Sequence, residues 1–114
     1  MTPIGSTTFA GRLAAHAARA PRKLAVVAGE TRYSYAELDA RVARVAGRLA
    51  RAGITRADVV ASQLPNGAAA LVLALAVNRL GAIHNPITTI AGTREVDFVL
   101  TQTVSRAFVD AADH

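Results

Sequence analysis

Hydrophobic positions in the middle of the chain predict one complete strand–helix–strand unit. Val59 to Leu64 is a short run rich in apolar and β-branched residues, and Pro65-Asn66-Gly67 breaks it. Ala68 to Leu80 is apolar on nearly every side, which is typical of a helix covered by more than one layer. Gly81 ends this helix before a second extended run, Ala82-Ile83-His84. This order predicts a parallel pair of strands joined by a crossover helix.

The N-terminal part predicts a helix followed by a β-hairpin. Thr7 or Thr8 can cap the helix, and Pro21 ends it. Leu24 to Ala28 and Thr31 to Tyr33 then form two short extended runs around a Gly-Glu turn. The helix keeps four apolar residues at helical spacing, namely Phe9, Leu13, Ala17 and Ala20.

A long second helix is predicted directly after the hairpin. Ser34 and Glu37 have the spacing of a capping box at its start. The helix can run to about Ala52, where Gly53 supplies the left-handed residue that closes it. Glu37 also lies four residues before Arg41, which predicts a pair on the helix surface.

The C-terminal third predicts one more helix and one more strand. Thr93 begins the helix, Glu95 and Asp97 lie in its positive first turn, and Ala107-Phe108-Val109 is the strand. Together the elements predict an α/β fold, in which an N-terminal helix and a β-hairpin precede an open, mainly parallel βαβαβ unit.

Several motifs occur in order along these elements: Tyr33-Ser34-Tyr35-Ala36-Glu37-Leu38-Asp39, Asp58-Val59-Val60-Ala61, Leu64-Pro65-Asn66, and Asn78-Arg79-Leu80-Gly81 followed by Ala82-Ile83-His84-Asn85-Pro86-Ile87. With them the chain resembles the N-terminal region of the AMP-forming adenylating enzymes, which include acyl-CoA synthetases, luciferases and peptide-synthetase adenylation domains. The resemblance covers about Phe9 to Val109 and implies part of a larger adenylating-enzyme N-terminal domain. Asn85 to Ile90 followed by Arg94 to Leu100 looks closest to acyl-CoA ligases acting on fatty or alicyclic acids.

The resemblance also implies a parent reaction, in which ATP and a carboxylic acid give an acyl-adenylate and then an acyl-CoA. That chemistry needs ATP, magnesium and coenzyme A. The family's glycine-rich, lysine-ending phosphate loop and its later motifs have no counterpart here, and Lys23 is the only lysine. We therefore expect no catalytic, cofactor-binding or metal residue in this chain. Residues 1–114 are interpreted as a single incomplete N-terminal subdomain, shortened by a frameshift, gene decay or choice of expressed region, and inactive alone.

Individual polar residues have plain structural explanations beside catalytic ones. His84 follows a predicted strand and could face a carboxylate or act as a base, but spacing fixes no acidic or serine partner for it, which favours a loop or packing role. His16 is expected to be a partly buried structural residue on the apolar side of the first helix. Asn66 is expected to cap the helix that begins at Ala68. Asp110, Asp113 and His114 could suggest a metal site, although polar chain ends usually fray.

Charge raises a nucleic-acid hypothesis, since the net charge is +5 and twelve of the thirteen basic residues are arginine. Arginines at 41, 44, 48 and 51 form one stripe of the second helix, beside an apolar stripe at 38, 42, 45 and 49. Aromatic residues make up only 4% of the chain, which is unusual for a single-strand groove. A solvated helix face is the preferred interpretation, and nucleic-acid binding is not expected.

Two other features limit the choice of partner and compartment. The chain has no cysteine and no apolar run long enough to span a membrane, and we expect a cytoplasmic protein. Three strands flanked by few helices leave apolar surface and strand edges exposed. An alternative hypothesis is therefore a stand-alone interaction module, which binds the remainder of a ligase, another protein or a second copy through that surface.

Overall fold

The computed structural model describes residues 8–89, 91–103 and 105–110. The predictions for Thr7, Ile90, Asp113 and His114 lie outside these ranges. In chain order the elements are α1 (Phe9–Arg19), β1 (Leu24–Ala28), β2 (Thr31–Ser34), α2 (Tyr35–Arg51), β3 (Val59–Gln63), α3 (Ala68–Arg79), β4 (Ile83–Pro86), α4 (Thr93–Thr103) and β5 (Ala107–Asp110). The predicted α/β fold and the order of its elements are confirmed.

The strands form two separate sheets. β1 and β2 pair antiparallel as the predicted hairpin. β3 lies between β4 and β5 and pairs in parallel with both, so that Val60 has His84 on one side and Ala107 on the other. The central strand is therefore the first strand of the βαβαβ unit, and the next two flank it.

α1 starts with the predicted cap and buries only part of its predicted apolar side. The Thr8 hydroxyl accepts a hydrogen bond from the Gly11 N–H at 3.0 Å. Of the four apolar residues at helical spacing, Leu13 is buried, together with Ala10, whereas Phe9 at the first turn is 73% exposed. The Asn78 Oδ1 accepts the Ala10 N–H at 3.0 Å and holds this first turn against α3.

α2 begins with the predicted capping box. The Ser34 hydroxyl accepts the Glu37 N–H at 3.1 Å, and the Glu37 carboxylate accepts the Ser34 N–H at 3.0 Å. These hydrogen bonds lower the pKa of Glu37, with a smaller contribution from Arg41. Arg41 itself lies over the Tyr33 ring, 4.5 Å from its centroid. Gly53 follows the helix with φ +96°, as predicted for the residue that closes it.

The core lies between α1, α2, α3 and one face of the parallel sheet. Val42, Val60 and Val77 are fully buried at its centre. An ion pair between Asp39 and Arg79 joins α2 to α3 at the core's edge. α4 lies apart from this cluster, with Val96 buried and Phe98 65% exposed. The described helices include none that is long and apolar enough to cross a membrane.

Replacing a core valine should separate packing from surface effects. Val77→Ala removes two buried methyl groups from α3 and should lower the free energy of unfolding by about 2 kcal/mol. The matched change Val27→Ala, at a side chain that is 56% exposed, should cost about 0.5 kcal/mol or less. Urea unfolding followed by circular dichroism measures both. Equal losses would contradict the packing of α3 described above.

Candidate functional site

A cleft opens where the parallel strands β3 and β4 end. Carboxyl ends of parallel strands share one edge of a sheet, and in α/β folds ligands bind in the crevice outside that edge. The cleft has a volume of about 330 Å³ and is lined by residues 64–66 after β3 and residues 86–89 at the end of β4 and beyond it. None of these side chains is charged.

The loop after β4 is held in place by β3. The Gln63 side-chain amide donates two hydrogen bonds of 2.9 Å, to the carbonyl oxygens of Thr88 and Ala91. The Ile87 N–H donates to the Ser62 carbonyl at 2.7 Å. The far wall of the cleft is therefore fixed by backbone and amide contacts, independently of any bound molecule.

Asn66 lines this cleft without capping α3. The residue at the N-cap is Gly67, and no side chain forms a cap hydrogen bond there. The expectation that Asn66 would cap the helix was wrong, because the side chain stands one position too early. Its amide is exposed at the cleft mouth instead.

A polar pair joins β3 to β4 beneath α3. The Ser62 hydroxyl and the His84 Nε2 are 2.8 Å apart, and Ser62 is only 3% exposed. His84 is the second residue of β4 and does not follow the strand, so the loop position expected for it was wrong. Its ring faces a second apolar pocket of about 380 Å³. That pocket is lined by Phe9, Leu71, Ala74, Leu75, Asn78 and Ala82.

Burial lowers the pKa of His84 below its ordinary value of 6.5, so the neutral ring is favoured. A neutral imidazole beside a hydroxyl is the start of a nucleophile–base arrangement. Here the pocket around the ring offers no carboxylate to orient it, and the serine is closed to solvent. The pair therefore satisfies a buried hydroxyl across two strands, which agrees with the predicted packing role of His84.

His16 differs from its expected environment. Its ring is exposed and stacks on Tyr35 with the centroids 5.2 Å apart, and Arg19 approaches its Nδ1 at 3.4 Å. The expectation of a partly buried residue was wrong because the packed side of α1 runs through Ala10 and Leu13. The ring lies beside the start of α2 rather than in the core.

The described residues include no group that fits a metal ion, and those that line the cleft do not fit a nucleotide. Within them, no three His, Cys, Asp or Glu side chains lie close enough to hold a metal ion. Asp110 ends β5, whereas Asp113 and His114 fall outside those ranges. The uncharged cleft also lacks the cations that a triphosphate requires. The residues present at the sheet edge therefore do not fit ATP with magnesium.

Two contacts that organise this region were missed from the sequence. Ser62 and His84 are 22 residues apart, and their meeting depends on the register of β3 with β4. Asn78 lies 68 residues from Ala10, whose backbone N–H donates a hydrogen bond to its side chain. A polar residue inside an otherwise apolar strand or helix was the available signal, because buried polar groups need partners.

Comparisons with known proteins agree with this geometry. A family model described as "AMP-binding enzyme" matches residues 13–114. The pyochelin synthase PchD of Pseudomonas aeruginosa is 39% identical over 87 residues, which are 76% of this chain and 16% of that protein. The feruloyl-CoA synthase of an Amycolatopsis species is 35% identical over 94 residues, 82% of this chain and 19% of that protein. Both alignments span less than a fifth of the relative's length.

Among solved structures, the fatty acyl CoA synthetase of Mycobacterium tuberculosis superposes with a TM-score of 0.85 at 30% identity, covering 90% of this chain and 21% of that one. The N-terminal subdomain of NpsA from Klebsiella oxytoca superposes with a TM-score of 0.81 at 19% identity, covering 90% and 27%. The second likeness concerns the fold alone.

The buried pair predicts that stability falls in mild acid. The unfolded chain takes up a proton near pH 6.5, while the folded chain resists it because the pKa of His84 is lowered. The free energy of unfolding should therefore decrease as the pH falls below about 6.5, by less than the limiting 1.4 kcal/mol per pH unit, since the ring is partly solvated.

His84→Gln should flatten this dependence between pH 7 and pH 5, a window above that of the carboxylates whose pKa is lowered, Glu37 and Asp58. His16→Gln, at an exposed ring, is the matched control and should keep the wild-type slope. Urea unfolding at each pH gives the slopes. An unchanged slope in His84→Gln would exclude this histidine as the source.

Proposed function

Since the chain belongs to the AMP-binding enzyme family, we propose that it forms the N-terminal part of an AMP-forming acyl-CoA ligase. The proposed parent reaction converts ATP and a carboxylic acid to an acyl-adenylate and pyrophosphate, and then transfers the acyl group to coenzyme A. Two similarities support acyl-CoA formation, namely the feruloyl-CoA synthase at 35% identity and the fatty acyl CoA synthetase at 30%. Neither similarity identifies the carboxylic acid that the parent enzyme would activate.

A second candidate is adenylation in peptide-type biosynthesis. The pyochelin synthase PchD, at 39% identity, supports this alternative. Both candidates share the adenylating step and differ in the acceptor of the acyl group. The same fold serves either one, so the difference lies in residues beyond those that carry the match.

The role proposed for this chain is to build and hold one wall of the adenylating domain. The observation that carries it is the uncharged cleft, whose far wall, the loop after β4, is fixed to β3 by hydrogen bonds of Gln63 and Ile87. Acyl transfer through an adenylate needs donors and cations aimed at phosphate oxygens. The described cleft supplies shape and no charge, so its contribution is positional. We expect the chain alone to be inactive.

The remainder of the ligase is the proposed partner. Apolar side chains stay exposed where further polypeptide would cover them, with Leu71 at 38%, Ile83 at 53% and Phe98 at 65%. β4 and β5 are the outer strands of the described sheet and can accept further strands. A second copy of the chain is the competing occupant of these surfaces.

A chimera tests the proposed role. This chain replaces the aligned segment of the feruloyl-CoA synthase, and ferulate-dependent release of pyrophosphate is measured. Because a small misplacement of a wall costs up to about 100-fold in rate, activity within that factor of the parent enzyme is the expected result. The 114-residue chain alone and the synthase lacking the segment are the controls, and both should be inactive.

Two results would overturn the proposal. A chimera that is soluble and unfolds cooperatively, yet releases no pyrophosphate, would contradict a shared structural role. Carboxylate-dependent pyrophosphate release by the 114-residue chain alone would contradict the positional role. The equivalent chimera in PchD separates the candidates, since activity in that host and not in the feruloyl-CoA synthase would favour the second.

A further inference from the structure

A groove runs along α2 on the helical side of the molecule. It has a volume of about 480 Å³, within the range of ordinary ligand sites. α2 forms one wall, α3 forms the other, and β5 contributes to the floor. The apolar lining includes Val45, Leu49, Val72, Leu73 and Val109. The groove is distinct in composition from the uncharged cleft, because one of its walls is basic.

That basic wall is a row of three arginines, Arg41, Arg44 and Arg48. Their spacing of three and four residues places them on one side of the helix, over a length of about 10 Å. All three are exposed. The row follows the groove rather than pointing away from it, since each arginine belongs to its lining.

These arginines carry charge that the described chain does not neutralise. The ion pair found among the described residues joins Arg79 to Asp39. The guanidinium groups of Arg44 and Arg48 form no hydrogen bond or ion pair with any described residue. Arg41 lies over the Tyr33 ring and makes the smallest contribution to the lowered pKa of the exposed Glu37, so its charge is only weakly offset. The apolar floor is therefore bordered by unpaired positive charge.

We propose that this groove, here called the arginine groove, binds an acidic amphipathic α-helix of a partner protein. Apolar groups of such a helix cover the floor, as in other helix-in-groove complexes. Its carboxylates, repeated every three and four residues, meet the three guanidinium groups along the same length. Charge complementarity of this kind sets register and partner choice.

The extent of the row argues against smaller or other anions. A single carboxylate or phosphate head group satisfies one position and leaves two arginines unpaired. A nucleic-acid strand satisfies the charges but leaves the apolar floor uncovered. The groove's one aromatic ring, Tyr33, already has Arg41 on its face, so it offers little as a stacking platform.

A second copy of the chain does not supply the required helix. α1 and α3 contain no acidic residue. In α2 the two acids are Glu37 and Asp39, and in α4 they are Glu95 and Asp97. Residues two apart point to different sides of a helix. The described helices of a second copy therefore offer no carboxylate row that matches the arginine groove.

Peptide binding to the full 114-residue chain tests the inference. The probe is a fluorescein-labelled peptide of about 18 residues, long enough to be helical, with leucine on one side and glutamate at three- and four-residue spacing beside it. Two control peptides have the same length, one with the same composition scrambled and one with glutamine in place of leucine. Fluorescence anisotropy should show the helical peptide binding at least about tenfold more tightly than either control.

Charge reversal locates the site. Arg44→Glu combined with Arg48→Glu should weaken binding by at least about tenfold. The matched double variant Arg12→Glu with Arg94→Glu makes the same change of charge at exposed helical positions outside the groove, and should weaken it by less than about threefold. Far-ultraviolet circular dichroism confirms that each variant is folded.

Three results would overturn the inference. Equal affinity for the scrambled peptide would mean that charge alone is recognised. Equal losses in the two double variants would place binding outside the groove. Tighter, salt-dependent binding of oligo(dT) than of the helical peptide would favour a nucleic acid. None of these results bears on the chimera experiment, because that experiment measures pyrophosphate release with the groove residues unchanged.

Discussion

The pairing of β3 on both sides is the constraint on which the rest of this structure depends. Its three central residues, Val60, Ala61 and Ser62, are at most 3% exposed. The backbone N–H and C=O groups of a strand buried to this degree need hydrogen-bond partners on two neighbouring strands. Its side chains must be covered on both faces of the sheet. Parallel neighbours in turn require crossover helices, so α3 and α4 exist because β4 and β5 run in the same direction as β3. The cleft follows as well, since all three strands end at one edge.

Ser62 raises the free-energy cost of burying β3, because its hydroxyl needs a hydrogen-bond partner. A buried hydroxyl without a partner costs more than its hydrogen bond would contribute, and an apolar side chain of similar size would avoid the problem. The chain instead places His84 opposite it, where burial lowers the pKa of the ring and keeps it neutral. Two costs are thus offset together, because the hydroxyl gains a partner and the imidazole stays uncharged under an apolar helix. The pair therefore fixes the register between β3 and β4, since a slip of one residue would place the two groups on opposite faces of the sheet.

Local rules predicted much of the fold, and they failed where distant segments meet. The capping box at Ser34 and Glu37 and the closing glycine at Gly53 depend on neighbours within four residues, and both are present. The contact that holds the first turn of α1 comes from Asn78, which is 68 residues away, and helical spacing within α1 could not predict it or the exposure of Phe9. Asn66 failed by one position, a normal error at helix ends. For the site, the sequence predicted polar residues after the strands, but the Ser62–His84 contact needed the three-dimensional register.

The uncharged cleft and the arginine groove lie on different elements but share one residue. Leu64, the first residue after β3, lines both. It is therefore the physical link between the helical side of the molecule and the loop at the strand ends. A helix bound in the groove would pack against Leu64 and restrict the turn formed by Pro65 and Asn66, which forms the near wall of the cleft. The far wall is already fixed by Gln63, so binding at the groove would act on the one wall that the fold leaves less constrained. In this arrangement a helix bound at the proposed groove would act on the near wall of the cleft without entering it.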